Sequence, residues 1–297
     1  MSELKLAAVG SSALIAGEIK EIIESFLGQS FPIATQTTSA VQTAEPDTFY
    51  ICATTQKAAL ETVIPPEQLF VFDLHPTTMF FLSIAKIPAG EEVVVFNNLL
   101  PYTKLLAKEC QELGIRHLRF RPVAYDEMEE GEIRKRLAVA RYIIGVDRMT
   151  GEEVLLSGTY RPYLREDVKI IDGQRTASVA SENLLLAGIA SAYLEEFQQA
   201  EKKLQTKCGA GGPFGTEITA LSQRISHIFH ILQNASLQTV TSQIAGGTAP
   251  ASYDYEDHGE ASPATMEFVK GQLDALRYLQ KKLAQLAPSK GNDSHPA

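Results

Sequence analysis

EEVVVFNNLLPYTKLLAKECQELGIRHLRFRPV (91–123) contains one complete unit of the architecture. EEVVVFNN (91–98) is rich in β-branched residues and reads as a strand. PYTKLLAKECQELG (101–114) is amphipathic, with Pro101 in its first turn and Gly114 at its end, so it reads as a helix. HLRFRPV (117–123) is a strand again. A strand, a helix and a strand joined by short loops imply two parallel strands with a helix across one face.

The same alternation runs outward in both directions. Upstream, LKLAAVG (4–10), FPIATQT (31–37), TFYICAT (48–54) and LFVFDL (69–74) are short β-rich runs. Ser11–Leu27 carries Leu14, Ile15, Ile19, Ile22, Ile23 and Phe26 at helical spacing, ended by Gly28. Thr55–Thr62 reads as a short helix stopped by Pro65 and Pro66. Downstream, residues 127–140 read as a helix with acidic residues in its first turn, which suits the helix dipole. RYIIGV (141–146), EEVLLSG (152–158) and DVKIIDG (167–173) read as strands, and Thr176–Lys203 as a long helix. The fold class expected is α/β: two Rossmann-like lobes with parallel sheets, like a periplasmic binding protein. Lobe one spans 1–90, and lobe two with its long closing helix spans 91–205.

After TKCGAGGPFGT (206–216), a glycine-rich linker, the strands stop. Ile218, Leu221, Ile225, Ile228, Leu232 and Ala235 step by three and four, an a/d seam. Pro263–Leu286 carries Met266, Val269, Leu273, Leu276 and Leu283 on one stripe. A helical hairpin or coiled coil, serving dimerisation or partner docking, is expected over 217–287. Residues 246–262 and the tail 288–297 are polar and read as disordered.

The charge balance narrows the function. Lys and Arg total 27 and Asp and Glu 36, a net charge of −9, which disfavours direct nucleic-acid binding and anionic membranes. The three cysteines Cys52, Cys110 and Cys208 have no metal-ligand spacing and fit a reducing cytoplasm. The N-terminal segment has no basic n-region, and Glu18 and Lys20 interrupt its apolar run, so it reads as the first strand and helix of a soluble protein.

Motif by motif, enzymatic signatures are weak. GAGGPFGTE (209–217) lacks the lysine that a phosphate loop requires. Gly10-Ser11-Ser12 sits between a strand and a helix, where hydroxyls and N–H groups suit an anion. Its spacing is not that of a dinucleotide fold, so no nicotinamide cofactor is expected. His227 and His230 are three apart with no partner ligand, so no metal is expected either. His117 opens a strand and reads as structural. The knot Asp73-Leu74-His75-Pro76-Thr77-Thr78 reads as a strand end followed by a helix with Pro76 at its first position. That is the carboxyl edge of a parallel sheet, where ligands of open α/β folds bind.

FDLHPTTMFFLSIAKIPAGEEVVVFNN (72–98), PYTKLLAKECQELGIRHLRF (101–120), ARYIIGVDRM (140–149) and YLREDVKIIDGQRTASVASENLL (163–185) together resemble a known module. It is the N-terminal effector-sensing domain of bacterial enhancer-dependent transcriptional activators, the group that includes the propionate catabolism regulator. The resemblance covers about residues 3–200. It implies two Rossmann-like lobes in the cytoplasm that sense a small molecule. In such activators a PAS domain, an ATPase domain and a helix-turn-helix follow. This chain carries no Walker lysine and continues into helices instead.

The expectation is therefore a cytoplasmic sensor. A small anionic metabolite would bind in the interlobe cleft, close it by a hinge, and signal through C-terminal helices that form a homodimer or meet a regulatory protein. Ser11, Ser12, His75, Thr77 and Thr78 are the expected contacts from lobe one. Asn97, Asn98, Arg175 and Thr176 are those from lobe two. No catalytic residue, cofactor or metal is assigned. The alternatives are a Rossmann-like enzyme acting on a phosphorylated or nucleotide substrate, and a structural adaptor.

Overall fold

The computed structural model describes residues 4–208, 215–246 and 263–286. It is a mixed α/β protein with two four-stranded parallel sheets and a C-terminal helical region. Two compact units divide the described chain. Unit 1 comprises residues up to Asp73 together with the C-terminal helices from Ala177, and unit 2 comprises Leu74–Thr176.

In unit 1, β1 (Lys5–Gly10), α1 (Ala13–Leu27), β2 (Ile33–Thr37), β3 (Thr48–Ala53), α2 (Lys57–Leu60) and β4 (Leu69–Phe72) follow one another. The strand order is β2-β1-β3-β4, and every pairing is parallel. β1 and β3 are buried along nearly their whole length, as central strands covered on both faces must be. Ala7, Val9, Tyr50, Cys52, Leu60 and Ile64 form one apolar layer. α1 buries Ile15, Ile19, Ile22, Ile23 and Phe26, the stripe its spacing predicts, and packs on β1 and β2.

Unit 2 holds β5 (Leu74–Pro76), α3 (Thr78–Ala85), β6 (Glu92–Asn97), α4 (Leu100–Glu112), β7 (Arg119–Ala124), α5 (Glu130–Val139), β8 (Tyr142–Val146), α6 (Asp147–Thr150), β9 (Lys169–Gly173) and β10 (Arg175–Ala177). Its main sheet has order β7-β6-β8-β9, again all parallel. The two sheets thus share one topology. Val93, Val95, Leu106, Cys110, Tyr142 and Ile144 fill the layer under α4. β5 and β10 pair as a separate two-stranded ribbon.

Four expectations are corrected here. The units divide at Asp73, not near Glu91, and the helix from Ala177 onward belongs with unit 1. His75 and Pro76 lie in β5 rather than at a helix start, and α3 begins at Thr78 with Thr77 at its cap position. The fixed backbone angle of proline suits a short two-stranded ribbon as well as a first helical turn, and pairing with β10 decides between them. EEVLLSG (152–158) makes no strand. Its one wholly buried side chain, Leu155, is held by turns such as Leu155 N–H to the Met149 carbonyl at 3.2 Å. β9 takes the place beside β8 that this segment would need.

The fourth correction concerns the helices. α7 (Val179–Cys208), α8 (Gly215–Gly246) and α9 (Pro263–Leu286) belong to unit 1. All six residues of the α8 seam, Ile218 to Ala235, are buried within the chain itself. Arg224 of α8 pairs with Glu196 of α7 at 3.0 Å, Gln280 of α9 hydrogen-bonds Ser226 of α8, and the Arg277 guanidinium lies 5.0 Å from the Phe229 ring. α7 packs on both α9 and β4. Most of the linker 206–216, residues 247–262 and the tail 288–297 lie outside the described residues. Among the described residues, no helix is long and apolar enough to cross a membrane.

Candidate functional site

Because the strands of unit 2 are parallel, the ends of β6, β7, β8 and β9 share one edge. Glycine lets two helices close on it. A Cβ on Gly145 would meet the Thr150 side chain of α6 at 2.8 Å, and one on Gly173 would meet the Phe80 ring at 2.7 Å. The second contact seats α3 against the end of β9. The Thr77 N–H then donates to the Gln174 carbonyl at 3.1 Å, and the Thr77 side chain makes no cap bond.

The β5–β10 ribbon therefore brings His75 and Thr77 onto the same small element as Arg175 and Thr176. The Arg175 guanidinium lies 5.4 Å from the centre of the Tyr102 ring, which is in the first turn of α4. That contact is in the cation–π range. Asn97 and Asn98 precede the same helix. The Asn97 side chain is buried, and its Oδ1 accepts from the Leu99 N–H at 3.5 Å. Asn98 accepts through its carbonyl from the Asp126 N–H at 3.2 Å.

Glu127 was not expected here. Its carboxylate accepts from the Leu100 N–H at 2.6 Å, so it occupies the positive end of α4. An outside anion at that end would meet a carboxylate already in place. The acidic cluster read as a solvated helix start includes this cap, and α5 starts only at Glu130. Nearby, Tyr125 stacks on Phe96 at 5.3 Å between ring centres, and its hydroxyl donates to the Met149 sulfur at 2.9 Å. Burial pushes the Tyr125 phenol up to about 12.

Ser11 and Ser12 lie on the corresponding edge of unit 1. Ser12 caps α1, its Oγ accepting from the Ile15 N–H at 3.4 Å. Gly10 pairs with Thr37, and Val9 with Cys52, so the residues after β2 and β3 flank Ser11. The Thr38 hydroxyl donates to the Gly10 carbonyl at 3.1 Å, and that of Thr54 to the Phe72 carbonyl at 3.5 Å. Gln56 is buried there, with its Oε1 unpaired. Thr38, Thr54 and Gln56 are edge residues that the sequence reading passed over. Parallel register was the signal: once β1, β2 and β3 are aligned, their following loops must meet.

Seven of the nine expected residues thus lie in unit 2: His75, Thr77, Thr78, Asn97, Asn98, Arg175 and Thr176. His75, Thr77 and Thr78 are corrected from lobe one, because the chain has already crossed at Leu74. A cavity of about 470 Å³ also opens in unit 2, along α4 and β7, lined by Lys104, Lys108, Arg119 and Phe120 among others. None of the expected residues lines it. His117 donates from Nε2 to the Ile87 carbonyl at 3.0 Å, a structural bond. His227 and His230 are exposed on α8, and no group of three metal-ligating side chains forms among the described residues. No family model, curated protein or solved structure matches the chain.

Proposed function

We propose that this protein is a cytoplasmic sensor of a small anionic metabolite, related to the N-terminal effector domains of enhancer-dependent activators. The observation that carries the reading is the β5–β10 ribbon. It sets an arginine 5.4 Å from a tyrosine ring centre, an imidazole and three hydroxyl side chains near the carboxyl edge of a parallel sheet. The Arg175 guanidinium lies within cation–π range of the Tyr102 ring, and the fork of a guanidinium matches a carboxylate. The uncapped first turn of α3 adds N–H donors, and the Thr77 and Thr78 hydroxyls supply more. Asn97 at the end of β6 and Asn98 after it are further candidate contacts.

The ribbon also supplies an output. β10 runs into α7 after one residue, Ser178, whose N–H donates to the Asp73 carbonyl at 2.8 Å. The two crossing strands are the hinge in this reading, and α7 with its packed α9 takes up the change. Self-association or a regulatory protein partner belongs to the same proposal. Since the α8 seam is covered within the chain, the outer faces of α8 and α9, where Leu237 and Tyr278 are exposed, are the surfaces for it.

The test is a thermal-shift and calorimetric screen of short mono- and dicarboxylates, followed by Arg175→Ala. Losing a charge-assisted pair costs about 1.5–3 kcal/mol, roughly 10- to 100-fold in affinity. A hit that Arg175→Ala leaves unchanged places the ligand elsewhere. Turnover of a phosphorylated or nucleotide substrate would favour the enzyme alternative.

A further inference from the structure

Among the described residues, the first turns of α7 carry a carboxyl group with no cation beside it. Glu182 is 5% exposed, and its Oε2 has no hydrogen-bond partner. Asn183 beside it is 3% exposed, and its Nδ2 is likewise unpaired. Among the described residues, the hydroxyl of Thr239 from α8, itself 1% exposed, is set against the Glu182 carboxyl. Arg224 to Glu196 is the next link between the two helices. Going from Arg224 to Thr239 advances 15 residues along α8 while the partner on α7 retreats 14, from Glu196 to Glu182, so the helices run antiparallel. Glu182 therefore lies where the last turns of α8 dock.

Among the described residues, the facing surfaces hold no counter-charge. Residues 233–246 of α8, QNASLQTVTSQIAG, contain no ionisable side chain. Between Val179 and Tyr193 on α7, Glu182 is the one charged residue. β4, which packs on α7, reads LFVF. Asp73 adjoins α7 through its backbone N–H, which donates to the Ser181 hydroxyl at 3.0 Å. On α9, Glu267 and Lys270 are exposed, and farther along, Glu196 and Arg224 satisfy each other. None of these charges bears on Glu182. Burial raises its carboxyl from 4.5 to about 7, against the opposing effect of the Thr239 hydroxyl.

We propose that Glu182 is a proton-controlled latch: neutral, it keeps the last turns of α8 docked on α7, and ionised, it releases them. A buried carboxylate without a cation is unfavourable, and water relieves it only if one wall moves. α7 is the fixed wall. Gly188 lies against Phe70 and Phe49 of the sheet so closely that a Cβ would meet the Phe70 ring at 2.4 Å. Leu185, Leu186 and Ile189 are buried around it, and Ser178 and Ser181 tie its start to Asp73. The α8 end is the wall that gives way.

Linkage sets the size and sign. The docked state holds a proton that the released state loses, so release is independent of pH well below 4.5. It then becomes about tenfold easier per pH unit and levels off above about 7. The experiment is amide hydrogen exchange across pH 5 to 8.5 on the full chain, corrected for intrinsic rates. Protection of residues 233–245 is expected to fall about tenfold per unit up to about pH 7 and then flatten, while that of β1 and β3 stays constant. Glu182→Gln is expected to remove the dependence. Equal profiles in the two proteins, or a fall spread evenly over unit 1, would overturn the latch. Should the variant fail to fold, ¹³C titration of the Glu182 carboxyl in the unsubstituted chain decides: a midpoint near 7 supports the proposal and one near 4.5 ends it.

Discussion

Gly10→Ala is the sharpest test of how unit 1 carries its edge. An added Cβ would lie 2.3 Å from the Ala16 backbone nitrogen, 2.7 Å from the Ile15 carbonyl carbon and 2.9 Å from the Ile15 Cβ. Ordinary contact begins at 3.4 Å, so the helix start must retreat by about 1.1 Å. No rotamer change relieves a clash with backbone. α1 would have to tilt away from β1 and loosen Ile15 and Ile19, which it buries on the sheet. Overpacking of this kind costs about 1–3 kcal/mol, and a rigid backbone neighbour places this site at about 3. Urea unfolding followed by far-ultraviolet circular dichroism should show the midpoint falling at unchanged slope. A loss under about 0.5 kcal/mol, the range of ordinary surface changes, would refute the close approach of β1 and α1 and with it the placement of Ser11 and Ser12.

Ser12→Ala removes the α1 cap and should cost about 0.5–1 kcal/mol, the lower part of the capping range because its bond is long at 3.4 Å; urea unfolding measures it. Burial pushes the Cys52 and Cys110 thiols up to about 12, so both stay protonated through neutral pH. A thiol reagent at pH 8 should leave them unlabelled until denaturant is added, as peptide mapping would show. Leu232→Ala should cost about 2–5 kcal/mol, because Leu232 is buried inside the chain's own helical bundle. The loss should be the same at low and high protein concentration; a loss that grows on dilution would mean that a second copy completes the bundle.

Both parallel sheets were legible in the sequence because βα alternation with capped, amphipathic helices leaves few topologies. EEVVVFNN and PYTKLLAKECQELG keep their boundaries within a few residues in β6 and α4. The knot at 73–78 did not read correctly, because proline after a strand fits both a helix start and a short ribbon. The deciding partner, Arg175–Ala177, lies about a hundred residues away in sequence. EEVLLSG has strand composition, yet composition does not say that β9 already occupies the neighbouring position. The α8 seam shows the same limit. An a/d pattern specifies an apolar partner surface, and α7 and α9 provide it within the chain.

For the candidate site, residue type was more legible than placement. Arg175 stood out as a guanidinium at a strand end, but its stacking on Tyr102 depends on where α4 begins. Glu127 was hidden in an acidic run until its bond to the Leu100 N–H singled it out. Glu182 sits inside a segment that reads simply as a long helix. Its burial comes from tertiary packing on α7, which the local sequence does not announce.

The central claim is that the β5–β10 ribbon holds an acidic metabolite. Native mass spectrometry of the protein purified at low salt, beside the His75→Ala/Arg175→Ala double variant, tests it most directly. The account predicts a stoichiometric small-molecule adduct, acidic in its fragments, on the parent protein and not on the double variant. An adduct of equal occupancy on both proteins would contradict it.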